Sequence, residues 1–300
     1  MTGTEDVSRR YAGLDAWTPA EILDALIEGQ LAAVAAVRAT RPVLQEAALA
    51  MEERLRGGGG RLIYAGAGTS GRLAVQDGAE LPPTFSWPRE RLLLLIAGGD
   101  EALVHAVEGA EDEGEHGAER VRRHDVGPQD VLLAVAASGT TPFTLACLRE
   151  ARRRGALTVG IANNPDTPLL SDADYGIWLD TGPEAIAGST RMKAGTAQKI
   201  TLNLLSSLLM IRLGRVFDGL MVDVQATNAK LVRRSETMLT HLTGRPPAEV
   251  RDALERAKGS VKLAVLLLHG CNIPEAERAL HRSGGQLRGA LALIAPPDRS

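Results

Sequence analysis

The sequence is poor in aromatic residues and has no strong excess of charge of either sign. Only three Trp, three Tyr and three Phe occur in 300 residues, too few for the stacking surfaces typical of single-stranded nucleic acid binding. The 34 Lys and Arg against 37 Asp and Glu give a net charge of −3, which offers no attraction to nucleic acid or an anionic membrane. We therefore expect neither nucleic acid nor a membrane as a partner.

Cysteine and ligand-spaced histidine are also scarce. Cys147 and Cys271 are too far apart in the chain for a disulfide scaffold or a cysteine-based zinc site. The 6 histidines show no H-E-x-x-H spacing, so we expect no metal. The N-terminus lacks the apolar segment of a signal peptide. One uncharged run, 131–148, is long enough for a membrane span, but Ser138, Gly139 and Pro142 at its centre indicate a strand, a loop and a helix start.

Short apolar runs separated by helical patterns are the main fold signal in this sequence. Continuous apolarity, without alternation, is typical of parallel strands that are covered on both faces. The segments between the runs are long enough for crossover helices, which predicts a doubly wound, five-stranded parallel α/β sheet with ligands at the carboxyl ends of the strands. The predicted strands are 62–65, 92–97, 131–136, 157–162 and 175–179.

Helical patterns flank the predicted sheet in the sequence. Thr18 to Glu21 has the N-cap, the proline and the glutamate of a helix start. A long helix is predicted from about 190 to 213, another from about 224 to 239, and one amphipathic helix from 250 to 268. We predict an N-terminal helical segment at 1–56, an α/β domain at 57–245 and a small C-terminal helical subdomain at 246–300.

Two loops rich in glycine and hydroxyl groups follow the first and third predicted strands, at 66–71 (GAGTSG) and 137–142 (ASGTTP). The first fits a dinucleotide motif formally, but the second strand does not clearly end in the acidic residue which that motif requires. No lysine follows the glycines, as a nucleoside triphosphate loop would need. Hydroxyls beside N–H groups at a helix start bind a single phosphate well, so two such loops at adjacent strand ends favour a phosphosugar.

A third cluster, 188–193 (GSTRMK), precedes the predicted long helix. Basic side chains are unfavourable on a first helical turn, where the macrodipole is already positive. Arg191 and Lys193 therefore indicate an anionic ligand, unless both side chains point into solvent. Two carboxylates also stand out, Glu80 just before Pro82-Pro83 and Glu111 in an acidic run, but such a run is usually a solvated face and spacing alone selects neither as catalytic.

Several long segments resemble the N-acetylmuramic acid 6-phosphate etherase family. They are 66–85 (GAGTSGRLAVQDGAELPPTF), 106–113 (AVEGAEDE), 136–143 (AASGTTPF), 182–198 (GPEAIAGSTRMKAGTAQ) and 220–231 (LMVDVQATNAKL). The resemblance covers the chain from about residue 14 into the C-terminal helices. It implies a sugar isomerase (SIS) domain at 57–245, a bacterial cytoplasmic homodimer that recycles cell-wall sugars, and no cofactor.

The resemblance also implies a reaction and its residues. The family cleaves the D-lactyl ether of N-acetylmuramic acid 6-phosphate to N-acetylglucosamine 6-phosphate and D-lactate. The resemblance assigns Glu80 as the acid that protonates the departing lactate oxygen and Glu111 as the base at C2. Contacts to the phosphosugar substrate are expected from Gly68, Thr69, Ser70, Ser138, Gly139, Thr140, Thr141, Ser189, Thr190, Arg191 and Lys193.

The chain departs from the family pattern at a few positions. Val7 and Ser8 follow Thr4-Glu5-Asp6 where Arg-Asn is usual, Thr140 replaces an arginine of the second loop, and Leu81 replaces a cysteine. Two alternatives share the fold: a non-catalytic regulator that binds sugar phosphates, and a phosphosugar isomerase, which also begins by removing the C2 proton.

Overall fold

The central feature of the computed structural model, which describes residues 3–224 and 229–294, is a parallel sheet of five strands. Its order is β2-β1-β3-β4-β5. The strands are β1 (Leu62–Gly66), β2 (Leu92–Ile96), β3 (Val131–Val135), β4 (Leu157–Ala162) and β5 (Tyr175–Trp178). Each end lies within one residue of the prediction, so the predicted doubly wound α/β fold is confirmed.

The chain forms two compact units. The first consists of Met1–Glu80 with Arg89–Ser206, and the second of Leu81–Pro88 with Ser207–Ser300. The predicted boundaries of 1–56, 57–245 and 246–300 divide the chain at other places and stay a prediction about domain organisation.

Helices precede, separate and follow the strands along the chain, as predicted. Thr18 caps the first of them, and its hydroxyl and the Glu21 carboxylate form a reciprocal capping box. The long helix begins three residues later than predicted, at Lys193. The helices up to that point are α1 (Pro19–Ala39), α2 (Arg41–Arg56), α3 (Gly68–Phe85), α4 (Gly114–Arg123), α5 (Pro142–Arg153), α6 (Pro168–Ser171) and α7 (Lys193–Arg212).

The core of the first unit lies on both faces of the sheet. All residues of β1, β3 and β4 are buried, which explains their continuous apolarity. Phe143 and Leu148 of α5 pack in the same cluster as Ile63 and Leu132, and such side chains each contribute about 1.5–3 kcal/mol when fully buried. Gly160 permits the close approach of α6, since a Cβ there would lie 2.0 Å from the Leu169 carbonyl oxygen.

The second unit contains an antiparallel hairpin and a helical core. The hairpin is β6 (Val216–Phe217) with β7 (Leu220–Met221), and the helices are α8 (Ala229–Thr243), α9 (Pro247–Arg256), α10 (Val261–Leu268), α11 (Ile273–Arg282) and α12 (Leu287–Ile294). Leu239, Val250, Val261 and Leu266 are buried in its core. Residues 225–228, within the family-like segment 220–231 and at the start of the predicted helix 224–239, lie outside the described residues.

The single helix predicted over 250–268 is wrong, because the chain forms α9 and α10 there. Lys258 and Gly259 take positive φ angles of 49° and 82°, which ends α9, and the Ser260 hydroxyl then caps α10 at the N–H of Leu263. In the part of the chain that the structure describes, none of the helices combines the length and the apolar composition that crossing a membrane requires.

Candidate active site

The carboxyl ends of β1 and β3 lie side by side, with Gly66 in register with Val135. Because the strand order is β2-β1-β3, the connections that leave these two strands diverge at this point. In open α/β sheets this switch point is where ligands bind. Both hydroxyl-rich loops begin here, since α3 starts at Gly68 and α5 at Pro142.

The first loop is short because α3 packs directly on the end of β1. A Cβ on Gly71 would lie 2.8 Å from the Gly66 carbonyl carbon, so only glycine fits at this contact. Gly68 has a φ of 52°, in the left-handed region that favours glycine. Thr69 is half-buried and Ser70 is buried. Hydroxyls and the free N–H groups of the first turn of α3 are therefore close together.

The second loop gathers three hydroxyl side chains at the start of α5. The Ser138 and Thr141 hydroxyl oxygens are 3.3 Å apart, and the N–H of Thr140 donates to the Ser138 hydroxyl at 3.2 Å. Gly139 has a φ of 69°, and a Cβ there would lie 2.2 Å from the Thr167 hydroxyl. The loop is thus held in one conformation by close packing, with Thr140 exposed.

A cavity of about 410 Å³ lies beside the first loop. Gly68 and Thr69 line it together with Glu111, and the other polar side chains on its wall are Arg72, His105 and Glu108. Glu111 lies in a short 3-10 turn, Ala110–Asp112, and its side chain is exposed. The preceding Ala110 is buried in the core, which fixes the turn. The fold therefore brings one predicted catalytic glutamate to the predicted phosphate loop.

Glu80 is not among the residues that line this cavity. It lies on α3 about 18 Å from Gly68 along the helix axis, at 1.5 Å per residue. One turn earlier, the Asp77 carboxylate accepts the Tyr64 hydroxyl at 2.8 Å and the Ser206 hydroxyl at 3.2 Å, so this part of α3 lies over the middle of β1. The Glu80 side chain is exposed. The two predicted catalytic glutamates therefore do not line the same cavity of the single chain.

The third predicted cluster is spread over two places. Gly195, whose N–H donates to the Thr190 carbonyl, lies near the first loop, because a Cβ built on it would lie 3.6 Å from the Thr69 methyl carbon. Ser189 is half-buried in the same turn. Arg191, by contrast, is exposed and lines an apolar groove with Leu23 and Ile27 of α1.

Lys193 is buried, and sequence analysis did not identify its neighbour Glu184. The Glu184 carboxylate accepts the N–H groups of Lys193 at 3.2 Å and Ala194 at 2.8 Å, so it caps α7. Burial raises the pKa of Glu184 and lowers that of Lys193. The Lys193 Cδ atom lies 3.9 Å from where a Cβ on Gly29 would be, so this side chain extends towards α1.

The N-terminal segment also reaches the carboxyl end of the sheet. The N–H of Thr4 donates to the Asn164 side-chain oxygen at 2.9 Å, and the Thr4 carbonyl accepts the N–H of Gly188 at 3.3 Å. Thr4 is 1% exposed. The family-like Thr4-Glu5 pair therefore lies beside the third cluster, although Val7 and Ser8 depart from the family pattern.

Comparison with known proteins identifies the family. Residues 43–152 match the glucokinase regulatory protein N-terminal SIS domain and residues 112–208 match the SIS domain. A protein of Deinococcus radiodurans named N-acetylmuramic acid 6-phosphate etherase is 53% identical over 289 residues, which are 96% of this chain and 94% of that protein. One of Rubrobacter xylanophilus with the same name is 45% identical over 96% of this chain and 95% of its own. The chain belongs to the N-acetylmuramic acid 6-phosphate etherase family.

Membership of the etherase family confirms the resemblance that the sequence motifs indicated, and it makes the chain an enzyme. The relatives match almost from end to end, whereas the regulatory-protein match covers only residues 43–152. The etherase family therefore accounts for both the sheet and the helices that follow it. Within this framework, the second loop offers the hydroxyls of Ser138, Thr140 and Thr141 and has no arginine.

Proposed function

We propose that this enzyme cleaves the D-lactyl ether of N-acetylmuramic acid 6-phosphate and releases N-acetylglucosamine 6-phosphate and D-lactate. The observation that carries the proposal is the cavity beside the first loop, which is lined by residues that follow β1 and β2. There the hydroxyl-rich first loop and Glu111 share one wall. The 53% identity to a protein of this name supports the same substrate. Because the substrate is a charged sugar phosphate of cell-wall recycling, we assign the reaction to the cytoplasm.

The chemistry explains why a carboxylate is needed at this wall. In the open-chain sugar, the C1 aldehyde acidifies the C2 proton, and a base removes it. The electron pair forms the C2–C3 double bond, and the C3–O bond breaks as an acid protonates the lactate oxygen. Water then adds at C3 and a proton returns to C2. We assign Glu111 as the base, a role in which a positioned group typically contributes about 10²–10⁴-fold.

The phosphate contacts in this proposal come from the two loops at the switch point. Thr69 and Ser70 stand in the first turn of α3, and Ser138, Thr140 and Thr141 lie in the loop that leads into α5. Each helix start adds N–H groups and a positive dipole end, which favour a phosphate monoester. Among the residues of the third cluster, Thr190 is the one closest to this contact, because a Cβ on Gly195 would lie 3.1 Å from the Thr190 carbonyl oxygen and 3.6 Å from the Thr69 methyl carbon.

The acid, Glu80, enters this site from a second copy of the chain in our proposal. Glu80 does not line the cavity that holds Glu111 and lies about 18 Å along α3 from Gly68, which supports a site completed by a second chain. An apolar stripe on α1 supports a homodimer: Leu23, Ile27, Leu31 and Val34 are 58%, 56%, 66% and 52% exposed. These four residues lie on one face of the helix, which is unusual for a face that meets only water.

The direct test is incubation of the purified protein with N-acetylmuramic acid 6-phosphate, followed by an enzymatic assay for D-lactate. We expect stoichiometric lactate and N-acetylglucosamine 6-phosphate, with deuterium at C2 when the reaction runs in D₂O. Binding of the sugar phosphate without any turnover would instead identify a regulator. Interconversion of sugar phosphates without lactate would identify an isomerase.

A further inference from the structure

Arg72 connects the first loop to the segment that carries Glu111. It stands one turn into α3, on the wall of the cavity. Its Nε donates to the Ala102 carbonyl at 2.8 Å and its Nη2 donates to the His105 carbonyl at 3.0 Å. A single rigid guanidinium thus holds two points of the segment that follows β2, because its N–H groups form a fixed fork.

The segment between β2 and α4 needs such support because little of it is buried. From 101 to 110, only Ala102 and Ala110 are buried. Its own hydrogen bonds are local, such as those from the N–H groups of Val104 and His105 to the Glu101 carbonyl. Exposed segments with local bonding open most readily, so a clamp from α3 decides where this chain lies.

The clamp continues towards Glu111 through close packing. Gly98 has a φ of 80°, and a Cβ there would lie 2.9 Å from the Val107 Cβ and 3.1 Å from the Ala102 Cβ. Ala102, whose carbonyl Arg72 binds, therefore packs closely with Val107 around Gly98. Glu111 follows four residues after Val107, on the same cavity wall as Arg72.

We propose that Arg72 is a positioning residue for Glu111: its guanidinium fixes the 99–107 segment against α3 and so sets where the Glu111 carboxylate stands relative to the sugar. The kinetic part of this inference rests on the proposed function. A displaced base lowers the rate of proton removal while the hydroxyls and N–H groups of the loops still hold the phosphate. A misplacement of about 1 Å can cost on the order of 10²-fold in rate.

The chain offers a matched control in Arg91. Its Nε donates to the Gly60 carbonyl at 2.7 Å and its Nη2 donates to the Leu55 carbonyl at 2.8 Å, the same two-carbonyl clamp. Arg91 precedes β2 and holds the chain just before β1, at the amino ends of these strands. Replacing either arginine removes the same kind of contact, but only Arg72 lies on the cavity.

The experiment compares Arg72→Gln, Arg72→Lys and Arg91→Gln in the full-length protein. We expect Arg72→Gln to lower kcat for lactate release about 10- to 100-fold with KM nearly unchanged, and a C2-deuterated substrate to show a larger isotope effect on kcat. Arg72→Lys keeps the charge but loses the forked guanidinium, so its kcat should lie between those of Arg72→Gln and the wild type. Arg91→Gln should leave kcat and the isotope effect unchanged. Amide hydrogen exchange over 99–111 should accelerate only in the Arg72 variants.

Each other outcome is decisive. A kcat for Arg72→Gln equal to that of Arg91→Gln would overturn the inference, as would a raised KM with normal kcat, which would make Arg72 a substrate contact. Unchanged hydrogen exchange over 99–111 would overturn the proposed clamp. If Arg72→Gln folds poorly, Arg72→Lys provides the same exchange measurement. A wild-type protein that releases no lactate would refute the proposed function. The hydrogen-exchange data would still test the Arg72 clamp independently of activity.

Discussion

Glu111 is the single residue whose replacement tests the proposed chemistry most directly. Glu111→Gln keeps the shape of the side chain but cannot accept a proton, so we expect kcat to fall by about 10²–10⁴-fold or more. Binding of N-acetylglucosamine 6-phosphate, measured by calorimetry, should persist because the phosphate contacts remain. Glu113→Gln is the matched control, since Glu113 is an exposed carboxylate two residues further on. Near-normal lactate release by Glu111→Gln would remove it from the mechanism.

Glu184 predicts a pH dependence of stability. Burial raises the pKa of Glu184 in the folded chain, so on raising the pH the unfolded chain loses this proton first. In this pH range the folded state binds more protons than the unfolded state. The stabilisation that Glu184 contributes therefore falls as the pH rises from about 4.3, the ordinary glutamate value, through the raised folded pKa. The contribution is fully present only below the ordinary value.

Urea unfolding of wild type and Glu184→Gln between pH 4 and pH 8 measures this effect. We expect the free energy of unfolding of the wild type to fall relative to that of Glu184→Gln as the pH rises. Glu53→Gln, at an exposed position of α2, is the control for the substitution itself. A Glu184→Gln difference that is constant across the range would show that burial does not control this carboxyl group.

Sequence reasoning selects residues whose signal is local. Thr69 and Ser138 are recognisable because small residues and hydroxyls stand between an apolar strand and a helix start. Glu184 carries no such signal, because it caps a helix that begins nine residues later along an irregular segment. The position of Glu80 outside the cavity that Glu111 lines was equally hidden, since family resemblance assigns roles to residues and says nothing of where one chain places them.

At the scale of elements, the junction of β1 with α3 depends on a contact between two glycines. In Gly71→Ala, the new Cβ would lie 2.8 Å from the Gly66 carbonyl carbon and 3.0 Å from the Ile96 side chain. Alanine improves helix propensity by up to about 1 kcal/mol, but overpacking against backbone typically costs about 1–3 kcal/mol. We expect a net loss of stability and, because the first loop shifts, weaker phosphate binding.

Thermal unfolding and phosphate-ester binding check this prediction against Gly57→Ala. Gly57 ends α2 with a φ of −68° and nothing lies within 4 Å of a Cβ built there. Alanine at that position should leave stability unchanged or raise it by up to about 1 kcal/mol. Equal effects of the two substitutions would show that the β1–α3 contact is not tight.

The strands were predictable and some helix boundaries were not, for physical reasons. Five buried strands in a sheet covered on both faces must be apolar throughout, and that pattern stands out in the sequence. The break between α9 and α10 depends on left-handed Lys258, a residue type that gives no warning of that conformation. Pro82 and Pro83 lie inside α3, and the helix nevertheless continues to Phe85. Only the last turn loses hydrogen bonds there, which a helix end tolerates.

At the scale of the whole molecule, mixing two inactive variants tests whether a site is shared. Glu80→Gln and Glu111→Gln are each expected to be nearly inactive alone. If each site takes Glu80 from one copy and Glu111 from the other, random reassociation leaves one intact site in each mixed dimer, or about one quarter of wild-type activity overall. Denaturation and refolding of the two variants together, against each refolded alone, measures this. No recovery would indicate that one chain supplies both glutamates.

The apolar stripe on α1 gives a second prediction at this scale. Ile27→Lys places a charge in the middle of the stripe and should shift the protein from dimer to monomer in analytical ultracentrifugation. Ala39→Lys, at an exposed position at the end of the same helix and away from the stripe, should remain dimeric. Lactate release should fall with dimer content. A dimeric Ile27→Lys protein would exclude the stripe as the interface.

The length of α3 sets a condition on when the enzyme works. Glu80 stands about 18 Å along its own helix from the first turn, and if a second copy supplies it to each site, as we propose, a lone polypeptide would hold the base without the acid. Catalytic output would then follow the number of paired chains, so activity per milligram should decline on dilution below the dissociation constant of the dimer. A cell that makes little of this protein would obtain far less than proportional turnover from it, and expression level becomes a threshold control.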